Sequence, residues 1–115
     1  MRRLAIGVLL AAGMAGVFLY TGVTRNSEYR RLVTAGDDAL GQDRIFLALE
    51  AYSGAIALKS ESMLAYLRRG EAYYRRGDLS AASRDLNRAR ALDPKATRPL
   101  ERLGDVAQEL GRHEE

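Results

Sequence analysis

Shifted by 34 residues, the chain lies over itself, and this period limits its fold more than any other feature. The shift sets Leu32 under Tyr66 and Leu100, Gly36 under Gly70 and Gly104, and Ala39 under Tyr73 and Ala107. It also sets Ile45 under Leu79, Ala48 under Ala82, Tyr52 under Leu86, Ala55 under Ala89 and Leu58 under Leu92. Small residues fall on small ones and apolar on apolar, apart from alanine exchanging with tyrosine. A period of this length means that each copy is one supersecondary unit, unable to bury its apolar side alone and completed by its neighbour. Glycine inside a helix costs about 1 kcal/mol relative to alanine, so its return at Gly36, Gly70 and Gly104 marks close approach of two helix axes. Gly77 is placed to end one helix, Asp78 to cap the next, and Asp93-Pro94 to stop it. The expected helices are 29–41, 44–58, 63–76, 79–92 and 97–110, an all-α chain.

The middle copy, MLAYLRRGEAYYRRGDLSAASRDLNRARALDP, resembles the tetratricopeptide repeat, with Tyr66, Gly70, Tyr73, Gly77, Leu79, Ala82, Leu86, Ala89 and Pro94 at that family's spacing. Arg69 replaces the family's usual leucine before the helix glycine, and Ser60 stands where the first copy would carry a closing proline, two departures expected to loosen packing locally. The resemblance implies an antiparallel helix-turn-helix solenoid of about 2.5 units: a degenerate repeat at 29–62, a good one at 63–96, and a half repeat or capping helix at 97–115. Helix 97–110 then either caps the array, with the last five residues fraying, or belongs to a longer array. In the second case the side bearing Leu100, Leu103, Ala107 and Leu110 lacks a neighbour, and melting at low temperature or self-association is expected.

From Leu4 to Thr24 the chain carries no charge, and about 1.5 Å per helical residue makes this roughly 30 Å, the thickness of a bilayer's hydrocarbon core. Residues 1–24 are therefore expected to be a transmembrane signal anchor, followed by a short linker at 25–28 in which Asn26 or Ser27 caps the first repeat helix. The alternative is a cleaved signal ending near Ala15, which would release a secreted or periplasmic protein, but Val17, Phe18, Leu19 and Tyr20 prolong the apolar run past that site. Arg2 and Arg3 before the run favour a cytoplasmic N-terminus, with the repeats on the extracytoplasmic, periplasmic side of a single-pass protein of bacterial type. Without Arg2 and Arg3 the chain has 16 basic against 15 acidic side chains, which does not look like a nucleic-acid footprint. Zero cysteines exclude disulfides and thiolate chemistry, and no metal-spaced cluster or phosphate-binding glycine loop is present, so neither enzyme activity, cofactor nor metal is expected. The single histidine, His113, lies near the end of the chain, and Asp37-Asp38 read as solvated helix residues.

The family's first helices line a concave groove that holds a peptide or partner helix, and the resemblance places Arg30, Val33, Asp37 and Leu40, then Leu64, Leu67, Glu71, Tyr74 and Arg75, then Arg98, Glu101, Asp105 and Gln108 towards it. Leu64, Leu67, Glu71, Tyr74, Arg75, Arg98 and Arg102 are the expected partner-binding residues. Arg68, Arg98 and Arg102 partly resemble the basic set with which some members clamp a terminal carboxylate, but Val33 and Asp37 at the first-repeat positions argue against such a clamp. The resulting expectation is a membrane-anchored scaffold that binds a protein or peptide in assembly of a membrane or envelope complex. The other reading is a piece of a longer enzyme or transport component.

Overall fold

The computed structural model describes residues 2–114, and the side chains of residues 2–112. Five helices follow one another: α1 Arg2–Gly41, α2 Ile45–Leu58, α3 Met63–Arg76, α4 Leu79–Leu92 and α5 Arg98–Glu114. Each packs against the next, so the chain runs up and down as a helical-repeat array. The four repeat helices after α1 begin and end within one residue of expectation, except that α5 runs on to Glu114; His113 lies in it, with its side chain outside the described set.

The turns explain these boundaries. Gly77 takes φ +85°, a left-handed conformation that a glycine adopts without a Cβ penalty, and its N–H donates to Tyr73 and Tyr74 carbonyls. Asp78 then accepts from the Ala81 N–H at 3.3 Å, and Ser62 accepts from the Ala65 N–H at 3.2 Å, so each side-chain oxygen satisfies a donor that the first helical turn leaves open. Arg44 supplies no side-chain cap to α2; the turn closes instead through its own N–H to the Ala39 carbonyl at 2.8 Å.

One junction differs from expectation. Residues 25–28 are helical rather than a linker, and neither Asn26 nor Ser27 caps anything: α1 is one helix of 40 residues, about 60 Å long. Asn26 is occupied elsewhere, accepting a hydrogen bond from the Lys59 ammonium, while Tyr29 shares a 2.5 Å hydrogen bond with Ser62 Oγ. Both contacts clip α1 to the turn between α2 and α3. The first part of α1 is long and apolar enough to cross a membrane and none of that stretch is buried. The molecule is accordingly elongated, 79 × 29 × 18 Å.

The repeat core has three patches. Val33, Ala55 and Ala65 join α1, α2 and α3; Ala48, Leu49, Tyr52 and Ala72 form the next; Leu67, Ala82, Leu86, Ala89 and Val106 join α3, α4 and α5. Val33 and Leu67, expected to face the groove, are therefore core residues, 9% and 3% exposed. They are repeat equivalents, and the following repeat covers this position in both copies. Arg69 also corrects an expectation. Its guanidinium grips Asp85 on α4 through two bonds of 2.6 and 2.8 Å, reaches Ser53 Oγ at 3.3 Å and lies near the Tyr66 and Tyr73 rings, so the departure from leucine is an ion pair built into the helix seam.

Candidate functional site

Three helices of the array, α1, α3 and α5, line one groove of about 510 Å³. Asp37, Leu40 and Gly41 come from α1, Arg68, Glu71, Tyr74 and Arg75 from α3, and Arg98 and Arg102 from α5. The spacing is that of one helix face: in α3, positions 68, 71 and 75 recur at three and four residues. Of the expected partner-binding residues, Glu71, Tyr74, Arg75, Arg98 and Arg102 come together here. Leu67 is in the core, and Leu64, 38% exposed, stands outside the groove lining. Arg30, Glu101, Asp105 and Gln108 are not among the lining residues either, although Asp105 is tied to one that is.

Glu71 is the hub of the floor. Only 8% exposed, its carboxylate accepts from Arg68 Nη1 at 3.2 Å, from Arg98 Nε at 3.1 Å and from Arg102 Nε at 3.1 Å. Arg102 continues to Asp105 at 3.0 Å, and these two acceptors, Glu71 first, raise the already high guanidinium pKa. On the other side Asp37 accepts from the Tyr52 hydroxyl at 2.6 Å. Burial first, and donation to Asp37 next, push the Tyr52 phenol well above its ordinary range, so it stays protonated as a fixed donor. Asp37 is thus held in place, not simply solvated as expected. Arg68 Nε lies 3.4 Å from Asp37 Oδ1, close enough for attraction, but its N–H is not aligned for a hydrogen bond and the atom is buried without an acceptor. Distance and alignment disagree here, and alignment decides: the contact is coulombic.

Electrically the floor is close to balanced, with Asp37, Glu71 and Asp105 against Arg68, Arg98 and Arg102, while Arg75 is drawn to Asp43 at 3.2 Å and the Leu40 carbonyl at 3.0 Å. Guanidinium groups bind carboxylates strongly when both edges are free. Here Glu71 holds Arg98 and Arg102 by Nε, which orients them; among the described residues the Nη groups of Arg98 have no acceptor. Beside these donors lie the half-buried Tyr74 ring and Leu40. The groove therefore offers oriented N–H donors next to an apolar and aromatic wall, the combination that seats a peptide backbone and one apolar side chain. Among the described residues no group of three or more histidine, aspartate or glutamate side chains could hold a metal ion.

Five of the seven expected partner-binding residues line the groove, but their pairing was not legible in the sequence. Arg98 and Arg102 meet Glu71 across 27 and 31 residues, and Tyr52 meets Asp37 from a different helix. The signal for Tyr52 was its place opposite Gly36, which brings its ring and hydroxyl across α1.

Residues 63–96, the α3–α4 hairpin, match the model of the tetratricopeptide repeat. Among solved structures, the chain is similar to the first tetratricopeptide domain of Spaghetti (RPAP3) bound to the HSP90 peptide SRMEEVD, at 19% identity and a TM-score of 0.48, over 74% of this chain and 94% of that one. The curated proteins include no match to it.

Proposed function

We propose that this chain is a non-catalytic, single-pass membrane scaffold whose groove holds a segment of a partner protein during assembly of a membrane or envelope complex. The observation that carries the reading is the Glu71-centred cluster beside Tyr74 and Leu40: three arginines oriented by one buried carboxylate, next to an apolar wall. Because the floor balances its own charge, the fitting segment is one of mixed character, with backbone or side-chain acceptors for Arg98 and an apolar side chain against Tyr74. A strongly acidic terminus would lie near Glu71 and Asp37 and find Arg102 already shared by Glu71 and Asp105.

Photo-crosslinking tests the groove. The full chain carrying p-benzoylphenylalanine in place of Tyr74 should give a discrete adduct in native membranes, whereas the same label in place of the exposed Arg84 on α4 should not. Equal adducts from both positions, or none from position 74, would reject the groove as the binding surface.

Anchoring and orientation rest on the uncharged Leu4–Thr24 run behind Arg2 and Arg3, no residue of which is buried in α1. The chain has no cysteine, so a single Gln42→Cys in the exposed α1–α2 turn gives a clean label site. In intact cells a membrane-impermeant maleimide should modify it if the repeats are extracytoplasmic. Labelling only after lysis overturns that side, and recovery of the protein from the soluble fraction overturns the anchor.

A further inference from the structure

Arg25 is the first charged residue after the uncharged run of α1, and it borders two hollows at once. The first, about 160 Å³, is a notch on the run itself, lined also by Phe18, Thr21 and Gly22. Positions 18, 21, 22 and 25 recur at three and four residues and so share one face of α1. The Thr21 hydroxyl is satisfied within the helix, donating to the Phe18 carbonyl at 3.0 Å, and a Cβ at Gly22 would meet nothing within 4 Å, so the notch is apolar and open. The second hollow, about 500 Å³, lies between α1 and the α2–α3 turn, where Arg25 and Tyr29 are joined by Lys59, Ser60 and Glu61. That volume is within the roughly 300–1,000 Å³ of small-ligand sites.

The charges of the second hollow are unevenly used. Lys59 gives one of its three ammonium donors to Asn26 and lies over the Tyr29 ring, 4.5 Å from its centroid, which fixes it at the wall. Glu28, three residues after Arg25, is taken by Arg31 at 2.5 Å. Among the described residues, the exposed Arg25 guanidinium and the exposed Glu61 carboxylate have no ion-pair partner and do not reach each other across the hollow. A cation and an anion that line one hollow without meeting leave a gap whose two ends favour opposite charges.

The hollow also has a fixed level. The bonds from Lys59 to Asn26 and between Ser62 and Tyr29 hold the α2–α3 turn beside residues 26–29, about 3–7.5 Å beyond Thr24. The polar layer of a bilayer adds about 5–7.5 Å on each side of the hydrocarbon core. With Leu4–Thr24 across that core, the turn stands at headgroup depth and the notch in the hydrocarbon just beneath.

We infer that the two hollows form one site for a single phospholipid whose headgroup joins a phosphate to a primary ammonium. The phosphate takes Arg25 and the remaining donors of Lys59, the ammonium takes Glu61, and the first part of an acyl chain lies in the notch. The inference rests on the membrane anchor proposed above and gives it a specific ligand. Glu61 supplies the selectivity: it repels a headgroup carrying only negative charge, and a trimethylated ammonium has no N–H to donate to it. None of these residues lines the Glu71 groove, so lipid and partner segment can be held together.

Native mass spectrometry of the full chain, released from detergent micelles carrying phosphatidylethanolamine, phosphatidylglycerol and phosphatidylcholine with the same acyl chains, measures retention. Phosphatidylethanolamine should be retained about fivefold more than either other lipid, the upper end for an exposed ion pair. Glu61→Gln should abolish that preference. Arg25→Gln should lower retention of all three lipids, and Gly22→Leu, which fills the notch, should do the same with helicity kept. Arg44→Gln, in the α1–α2 turn at the other end of the repeats, should change nothing. Equal retention of the three lipids by a chain that still floats with membranes overturns the site and leaves the anchor standing. So does a preference that survives Glu61→Gln, retention unchanged by Arg25→Gln, or displacement of the lipid by soluble phosphoethanolamine, which would make the headgroup alone the ligand. Recovery of the chain in the soluble fraction overturns the anchor and the site with it.

Discussion

Replacing Arg69 and Asp85 by leucine, singly and together, separates two accounts of the helix seam. Asp85 has 2% of its side chain exposed and both oxygens engaged by one guanidinium, whereas Arg69 keeps 19% of its side chain exposed and has Ser53 and two tyrosine rings as further neighbours. The two single changes should therefore be unequal. Removing one partner of a buried pair costs about 3–5 kcal/mol, because the other charge is left without compensation. In Asp85→Leu the guanidinium can turn towards water, so about 3 kcal/mol is expected. In Arg69→Leu the buried carboxylate cannot, so a loss nearer about 5 kcal/mol is expected. Arg69→Leu should thus be the more harmful change. The double leucine variant buries only apolar groups and should return to within about 1 kcal/mol of the parent, or exceed it. Urea unfolding of the full chain in a mild detergent, followed by far-ultraviolet circular dichroism, measures all three. A double variant as unstable as Arg69→Leu, or single variants within about 0.5 kcal/mol of the parent, would refute the view that this pair is a buried, mutually dependent unit.

Other consequences follow from neighbouring positions. Gly70→Leu should cost about 1–3 kcal/mol by overpacking, since a Cβ already meets Leu86 Cγ at 2.8 Å, while Gly104→Ala should gain about 0.5–1 kcal/mol from helix propensity; melting temperatures check both, and equal shifts would refute the repeat register. Tyr52→Phe removes the 2.6 Å bond to Asp37 and should cost about 1 kcal/mol at neutral pH. The raised Tyr52 pKa means that the folded state holds the proton more tightly than the unfolded one, so this stability is present below about pH 10 and lost as pH rises further; Tyr52→Phe should flatten that alkaline decline in a pH series of melts. Glu71→Gln should release Arg98 and Arg102 from their shared acceptor, shown by faster arginine side-chain motion in NMR relaxation, with Arg69, bonded elsewhere, unchanged.

Features governed by local chemistry were legible in the sequence. Gly77 and Asp78 mark the α3–α4 turn because a left-handed residue and an N-cap side chain act within a few residues. The period itself reveals Gly36 and Gly70 as close-approach sites, since a recurrent helix-breaking residue needs a packing reason. Asn26 and Ser27 misled for the same cause: they have the right chemistry for a cap, but cap only where the helix actually begins, and here the Asn26 amide is used by Lys59 on the next turn of the array. Val33 and Leu67 were misplaced because helical register gives an angle, not the neighbour that fills it. Arg69 with Asp85, and Glu71 with Arg98 and Arg102, join residues on different helices and become visible only when the seam is assembled.

The continuity of α1 ties the groove to whatever holds Leu4–Thr24. Thr24 and Asp37 lie on one helix, 13 residues apart, which puts the groove floor about 20 Å beyond the end of the apolar run and fixes its rotation about that axis. A flexible linker at 25–28 would let the repeats turn freely. A helix there, clipped by Lys59 to Asn26 and by Ser62 to Tyr29, does not. Under the function proposed above, a groove carried in this way would meet a partner in the same membrane at a set height and heading, so that less orientational freedom would be lost on binding. Inserting one residue after Ser27 would rotate the groove by about 100° while raising it only about 1.5 Å, whereas inserting four would nearly restore its heading and raise it about 6 Å. If orientation matters, the Tyr74 crosslink should fail with one added residue and return with four. Equal crosslinking in both would mean that the partner, not the helix, sets the geometry.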